Sequence, residues 1–196
     1  MTLRHLVCLK PPHQMENNPT PIQLATLGGG CFWCLDTVYR SLKGVISVAS
    51  GYSGGSQETA NYRDVCSGST QHAEVVQIAF DPAIITYVQL LEIFWQVHDP
   101  TTHNRQGNDV GPQYRSVIFF HDAQQEQEAR VSVTTIAADI WENPAVTQIV
   151  PFEAFYPAET YHQDYYNKVG GRNPYCTFVI SPKVEKFRKK FAAQLK

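Results

Sequence analysis

The chain has 196 residues, of which 43% are hydrophobic and 17% charged, the size and balance of one compact α/β domain with a buried core. A formal net charge of −2 excludes a bulk electrostatic pull toward nucleic acid or anionic lipid. No apolar run approaches the length of a membrane span, and the chain is expected to act as a cytoplasmic monomer.

Residues 1–21 read as a flexible extension without catalytic content, followed by a single catalytic domain over residues 22–196. In the extension, Pro11 and Pro12 cut the apolar run His5 to Leu9 short of a signal-peptide core, and no small-residue cleavage site follows. Residues 22–27 read as a short buried strand, stopped by Gly28-Gly29-Gly30, and residues 31–42 as a helix. Residues 45–52 form a second strand before the Ser53-Gly54-Gly55 turn; residues 56–71 are loop-like. Residues 74–80 are a third strand. Residues 86–98 are an amphipathic helix with Tyr87, Leu90, Leu91, Phe94 and His98 at helical spacing. A second long loop covers residues 99–114, and residues 116–120 are a fourth strand. That βαββαβ order predicts a ferredoxin-like two-layer α/β sandwich, with further extended segments and helices after it.

Asp122 is the expected N-cap of a third helix with Ala129, Val133, Ile136 and Ile140 turned inward. Residues 147–155 are extended and broken by Pro151. Residues 182–194 are helical, with Val184, Phe187, Phe191 and Leu195 on one stripe. The lysines and arginine of that helix, Lys183, Lys186, Arg188, Lys189 and Lys190, read as a solvated face favoured by the helix dipole.

Five cysteines (Cys8, Cys31, Cys34, Cys66 and Cys176) form an odd set without an export signal, which points to reduced thiols rather than a disulfide framework. The strand, the three glycines and then Cys31-Phe32-Trp33-Cys34 opening a helix carry the most chemistry. Glycines let the backbone turn sharply and approach a ligand. A cysteine at a helix N-terminus meets the positive end of the dipole, which favours its thiolate. Phe32 and Trp33 supply an apolar wall beside that sulfur. A structural zinc site would need a second pair of ligands, and no second C-x-x-C exists. A thioredoxin-type redox pair fits the spacing as well. Two inert buried thiols would leave the glycines and the helix start unexplained.

Gly29-Gly30-Cys31-Phe32-Trp33 resembles the signature of the methionine-S-sulfoxide reductases, the A-type peptide methionine sulfoxide reductases. The similarity runs in family order through Gly51 to Gly55, Asn61 to Gly68, His72 to Val75, His98 to Thr101, Asn104 to Gly107 and Asp109 to Ser116. It closes with Phe155 to Glu159 and Tyr161-His162-Gln163, and it leaves the extension uncovered.

The resemblance implies that the Cys31 thiolate attacks the sulfoxide sulfur, releasing methionine and leaving a sulfenic acid. A second thiol then closes an intramolecular disulfide that thioredoxin reduces, in the repair of oxidised proteins and peptides, with no metal or organic cofactor. It further implies that Phe32 and Trp33 hold the sulfoxide methyl group, and that Tyr62 and Tyr114 hydrogen-bond its oxygen. Glu74 would donate a proton to that oxygen; Asp109 and His162 would stand close by. Glu74 shares a strand face with Val76, Ile78 and Phe80, where lost hydration should keep it neutral.

Cys66 is expected to be a structural buried thiol, and Cys8 to have no catalytic part. Many relatives have a small residue at Cys34 and a glycine-rich tail with a further cysteine, so the resolving thiol is either Cys34 or Cys176. Two other functions compete: a general thiol–disulfide oxidoreductase, which has no use for Glu74, Tyr62 and Tyr114, and a sulfoxide-binding or thiol-sensing module without turnover, which loss or replacement of Cys31 would have favoured, whereas Cys31 is present.

Overall fold

The computed structural model describes residues 21–196, so the N-terminal extension, with Cys8, lies outside the described residues except for residue 21. Strand β1 (Gln23–Gly29) runs through the middle of a six-stranded sheet. It pairs antiparallel with β3 (Ala73–Phe80) on one side and, with β4 and β5 being a separate two-residue hairpin at Arg105–Gln106 and Asp109–Val110, with β6 (Ser116–Phe120) on the other. Strand β2 (Val45–Ser53) pairs antiparallel with β3, giving the spatial order β6-β1-β3-β2 expected of a ferredoxin-like layer. Two short strands extend it: β7 (Gln148–Pro151) lies parallel to β6, and β8 (Tyr156–Pro157) antiparallel to β2.

Helices α1 (Phe32–Arg40) and, after the short α2 (Tyr62–Cys66), α3 (Tyr87–Val97) cover one face. Alternation along β3 sorts its side chains as the sequence suggests. Glu74, Val76, Ile78 and Phe80 are buried, the last three in one core with Leu35, Val38, Leu90 and Phe94 from the helices. Ala73 and Val75 pack on the opposite face with Val117 and Phe119, under Phe152 and Phe155. Each such fully buried large side chain contributes about 1.5–3 kcal/mol. Helix α3 is held at its start by a reciprocal cap: Thr86 Oγ1 accepts from the Gln89 N–H, and Gln89 Oε1 accepts from the Thr86 N–H.

Three expectations change. The loop over residues 56–71 contains a 3₁₀ turn (Gln57–Thr59) and α2, whose polar sequence has no apolar stripe but whose N-terminus is capped by Asn61 Oδ1. Asp122 caps α4 (Ala123–Ser132) as expected, but the helix then widens into a π turn (Val133–Ala137) before α5 (Ala138–Ile140). The extra residue per turn rotates the stripe, so Ala137 is buried and Ile140 is exposed. After α6 (Tyr165–Val169), the last helix, α7 (Ser181–Lys190), stops at Phe191 and ends in a 3₁₀ turn (Ala192–Gln194), while Val184, Phe187 and Phe191 keep their buried stripe. Among the described residues no helix is long and apolar enough to cross a membrane.

Candidate active site

The site forms where β1 hands over to α1. Gly30 has φ +86°, the left-handed region, and a Cβ there would lie 2.5 Å from the Gln106 side chain. At Gly29 a Cβ would come within 2.9 Å of the His98 ring. The glycines thus let the turn pass between these neighbours and present Cys31 as the N-cap residue of α1. Phe32, the next residue, is buried, and its N–H donates to Glu74 Oε2 at 3.1 Å. That bond joins the first turn of α1 to β3.

A cavity of about 290 Å³ opens above the sulfur, and the structure brings Cys31, Phe32, Trp33, Tyr62, Glu74 and Tyr114 to its wall. Asp109 and Tyr175 complete the lining, joined by a 2.6 Å hydrogen bond from the Tyr175 hydroxyl to Asp109 Oδ2. Trp33 is clamped from three sides. Its ring stacks on Tyr165 with centroids 3.8 Å apart and 6° between planes, Tyr175 meets it edge-on at 6.1 Å, and its Nε1–H donates to His162 Nδ1 at 3.1 Å. His162 is therefore placed behind the wall, against Phe32 at 5.1 Å, rather than on it. A larger hollow of about 430 Å³ between Trp141 and Lys183 has no cysteine in its wall.

Electrostatics follow from burial. Desolvation pushes the Glu74 carboxyl up to about 8, against the lowering effect of the Phe32 N–H, with Asp109 and Cys34 adding to the rise. Glu74 is accordingly a neutral acid at pH 7. Burial also raises the phenols of Tyr62 and Tyr114, which stay protonated donors. The expectation for Cys31 is overturned. Burial, a hydrogen bond to Cys34 and the charges of Cys34 and Glu74 lift its thiol well above the usual range, outweighing the Trp33 N–H that a helix start provides. Cys34 moves the other way, lowered chiefly by the hydrogen bond from Cys31 and then by Lys183. Cys176 is fully buried, and burial and the nearby Cys34 raise its thiol. Cys66 is only half-buried and lies near the Tyr62 hydroxyl, so it borders the site instead of filling the core.

A thiol facing a neutral carboxyl and two phenols across an aromatic slot is equipped to take oxygen from a small polar group. Residues 23–195 match the peptide methionine sulfoxide reductase family. The chain belongs to that family. It is 54% identical over 175 residues to the peptide methionine sulfoxide reductase of Saccharolobus solfataricus, covering 89% of this chain and 98% of that one. It is 46% identical to the enzyme of Thermus thermophilus over 90% of this chain and 99% of the relative. Among solved structures it is similar to Mxr1 of Saccharomyces cerevisiae in reduced form, with TM-score 0.74 and 35% identity over 81% of this chain and 91% of that one. Methionine sulfoxide reductase A of Corynebacterium diphtheriae superposes with TM-score 0.67 at 31% identity over 81% and 85%. The chain is thus an oxidoreductase that reduces methionine sulfoxide.

Sequence reasoning missed part of this reductase site. Tyr175 adjoins the noted Cys176, and only its neighbour's thiol drew attention. Tyr165 has no motif around it and is recognisable only from its stacking on Trp33. Among the described residues no group of three or more His, Cys, Asp or Glu side chains is placed to hold a metal ion.

Proposed function

We propose that Cys31 is the nucleophile of a methionine-S-sulfoxide reductase, that Glu74 is its proton donor, and that Cys34 is its resolving thiol, all within one catalytic domain at residues 22–196. The observation that carries this reading is the meeting of the Cys31 thiol with a carboxyl held neutral up to about pH 8 in one aromatic-walled cavity. A sulfoxide whose methyl group lies between Phe32 and Trp33 presents its sulfur to Cys31 and its oxygen to Glu74, Tyr62 and Tyr114.

Negative charge builds on that oxygen as the sulfur–sulfur bond forms, and a neutral acid with two phenol donors stabilises it. The sulfur–oxygen bond then breaks as the protonated oxygen leaves, and water attacks the Cys31 sulfur, forming its sulfur–oxygen bond while the sulfur–sulfur bond breaks to release the thioether. The balance is one thiol and one sulfoxide converted to one sulfenic acid on Cys31 and one thioether, the thiol's own proton replacing the one that Glu74 lends. The Tyr175 hydroxyl is held by Asp109, while the Tyr62 hydroxyl stands near Cys66 and can turn to the sulfoxide oxygen. Asp109 and His162 hold Tyr175 and Trp33 in place. Three fixed contacts, to methyl, oxygen and sulfur, distinguish mirror-image sulfoxides; the S hand comes with the family.

The Cys34 thiol lies close enough to that of Cys31 for each to shift the other's titration, and condensation with the sulfenic acid forms a disulfide and releases water. Mxr1 has also been solved in complex with Trx2, and that structure is similar to this chain with TM-score 0.52 and 26% identity over 77% of this chain and 89% of that one. This supports thioredoxin as the dithiol that reopens the disulfide, with no metal or organic cofactor needed. The free thiols of Cys31, Cys34, Cys66 and Cys176 suit a reducing, cytoplasmic setting.

Disulfide mapping by mass after one turnover without reductant tests the pairing. A Cys31–Cys34 peptide is expected. A Cys31–Cys176 peptide would give the resolving role to Cys176.

A further inference from the structure

Glu159 has no part in the chemistry just described, yet its carboxylate bonds to Tyr62 of the pocket wall and to Tyr52 and lies beside His162, which pack behind that wall. It stands at the N-cap of the 3₁₀ turn Thr160–His162 and is about one-third exposed. One oxygen, Oε1, accepts from the Tyr62 N–H at 2.8 Å. Tyr62 is the first residue of α2, so this bond satisfies one of the unpaired donors that every helix start leaves open. The other oxygen, Oε2, accepts from the Tyr52 hydroxyl at 3.0 Å. Tyr52 is fully buried on β2, directly across the sheet register from Glu74, with its ring 5.9 Å from that of Phe32.

A third tie runs through His162. Trp33 Nε1 can only donate, so His162 Nδ1 must accept its bond, and the proton of the neutral ring lies on Nε2. That nitrogen is buried without a hydrogen-bond partner and lies 3.8 Å from Glu159 Oε2. The Tyr62 ring in turn packs against the His162 ring at 4.7 Å. The groups around Glu159 are thus the donors it bonds on the oxygen-binding side (Tyr62) and beside the proton donor (Tyr52), with the unbonded His162 Nε2–H close by behind the methyl slot. No lysine or arginine forms an ion pair with it among the described residues. Against the raising effect of burial, the hydrogen bonds from the Tyr62 N–H, its own backbone N–H and the Tyr52 hydroxyl, with the His162 ring, keep its carboxyl below the usual glutamate range, so it is charged at neutral pH.

We propose that Glu159 is a positioning residue for sulfoxide reduction, its carboxylate fixing the Tyr62 phenol at the distance from the Trp33 wall that a bound methyl sulfoxide requires. The inference rests on the assignment of Tyr62 to the sulfoxide oxygen. Glu159 would act through Tyr62 and touch no reacting atom. Glu159→Gln keeps the shape and can still accept from the Tyr62 N–H. Its amide would then turn N–H donors toward the Tyr52 hydroxyl, which must reverse its role and accept, and toward His162 Nε2–H, which cannot, so the arrangement around Tyr62 is disturbed.

A double-mutant cycle tests this, with the single-turnover rate of methionine formation as readout. Glu159→Gln should slow the rate about tenfold in the parent and less than about twofold in a Tyr62→Phe background, because the phenol it positions is then absent. Its loss should fall on the rate at saturating sulfoxide, while alkylation of Cys31 by iodoacetamide stays within about twofold of the parent, showing an intact fold and thiol. An equal slowing in both backgrounds overturns the inference and leaves the Tyr62 assignment standing. So does a Glu159→Gln enzyme as fast as the parent. If Tyr62→Phe alone reduces sulfoxide at the parental rate, Tyr62 leaves the mechanism and Glu159 leaves with it.

Discussion

Cys31→Ser should form no measurable methionine from methionine sulfoxide with either dithiothreitol or thioredoxin, a loss of more than about 10⁴-fold. The hydroxyl that replaces the thiol is a far weaker nucleophile at neutral pH. It also cannot accept oxygen, because sulfenic acid chemistry belongs to sulfur alone. The substitution changes little else. Cys31 is 8% exposed, its replacement is nearly the same size, and its N-cap position suits serine as well as cysteine. Circular dichroism and thermal unfolding close to the parent, with turnover gone, are the expected pair of observations. Residual turnover by this variant would move the nucleophile elsewhere.

Glu74→Gln should slow single-turnover reduction about 10²–10⁴-fold, the usual loss when a positioned acid is removed. The amide keeps an acceptor for the Phe32 N–H, so the first turn of α1 stays tied to β3 and Cys31 remains open to alkylation. The pH profile should change shape as well. On the proposed mechanism Cys31 must lose its proton, which rising pH favours, and Glu74 must keep its proton, which rising pH opposes. The parent profile is therefore a bell whose limbs belong to the pair, and the variant should retain only the rising limb.

Stability supplies a second check on the same carboxyl. In the unfolded chain Glu74 releases its proton near its ordinary value of 4.5, whereas the folded chain holds it to about 8. Between those values the folded state binds more protons, so this group lowers stability progressively as pH rises, and the full loss is reached above about 8. Glu74→Gln removes that loss. The variant should be more stable than the parent by roughly a few kcal/mol at about pH 9 and nearly equal to it at about pH 4. Denaturant melts at both values measure it, and a parent that is the more stable of the two at high pH would contradict a desolvated Glu74.

How legible these features are in the sequence depends on the length scale of the interaction. Alternation along β3 puts Glu74 on the core face from its neighbours alone, and the structure buries it beside Val76. Thr86 and Gln89 cap α3 through contacts three residues apart, and β6 has the boundaries that its apolar run suggests. Helix α2 escapes a periodicity search because it is five residues long and has no stripe; a side-chain cap and a carboxylate from residue 159 hold its start. Tyr175 and Glu159 reach the site through bonds spanning 66 and 97 residues, and nothing local announces either.

The Cys31 thiol is a different case. Its place at a helix start is readable and points to a lowered pKa. The raised pKa depends on burial among Cys34, Glu74 and the surrounding core, which only the assembled fold creates. Substrate must supply the missing help, and the positive sulfur of a polarised sulfoxide, brought against Cys31, is such a group.

The most direct measurement of the central claim is a single turnover, without reductant, on separated S and R epimers of a blocked methionine sulfoxide. Thiol titration and mass mapping follow the reaction. The S epimer should yield about one equivalent of methionine per chain, with the Cys31 and Cys34 thiols lost together, and the R epimer should yield almost none. Equal yields from the two epimers, or methionine formed while Cys31 stays a free thiol, would contradict the account.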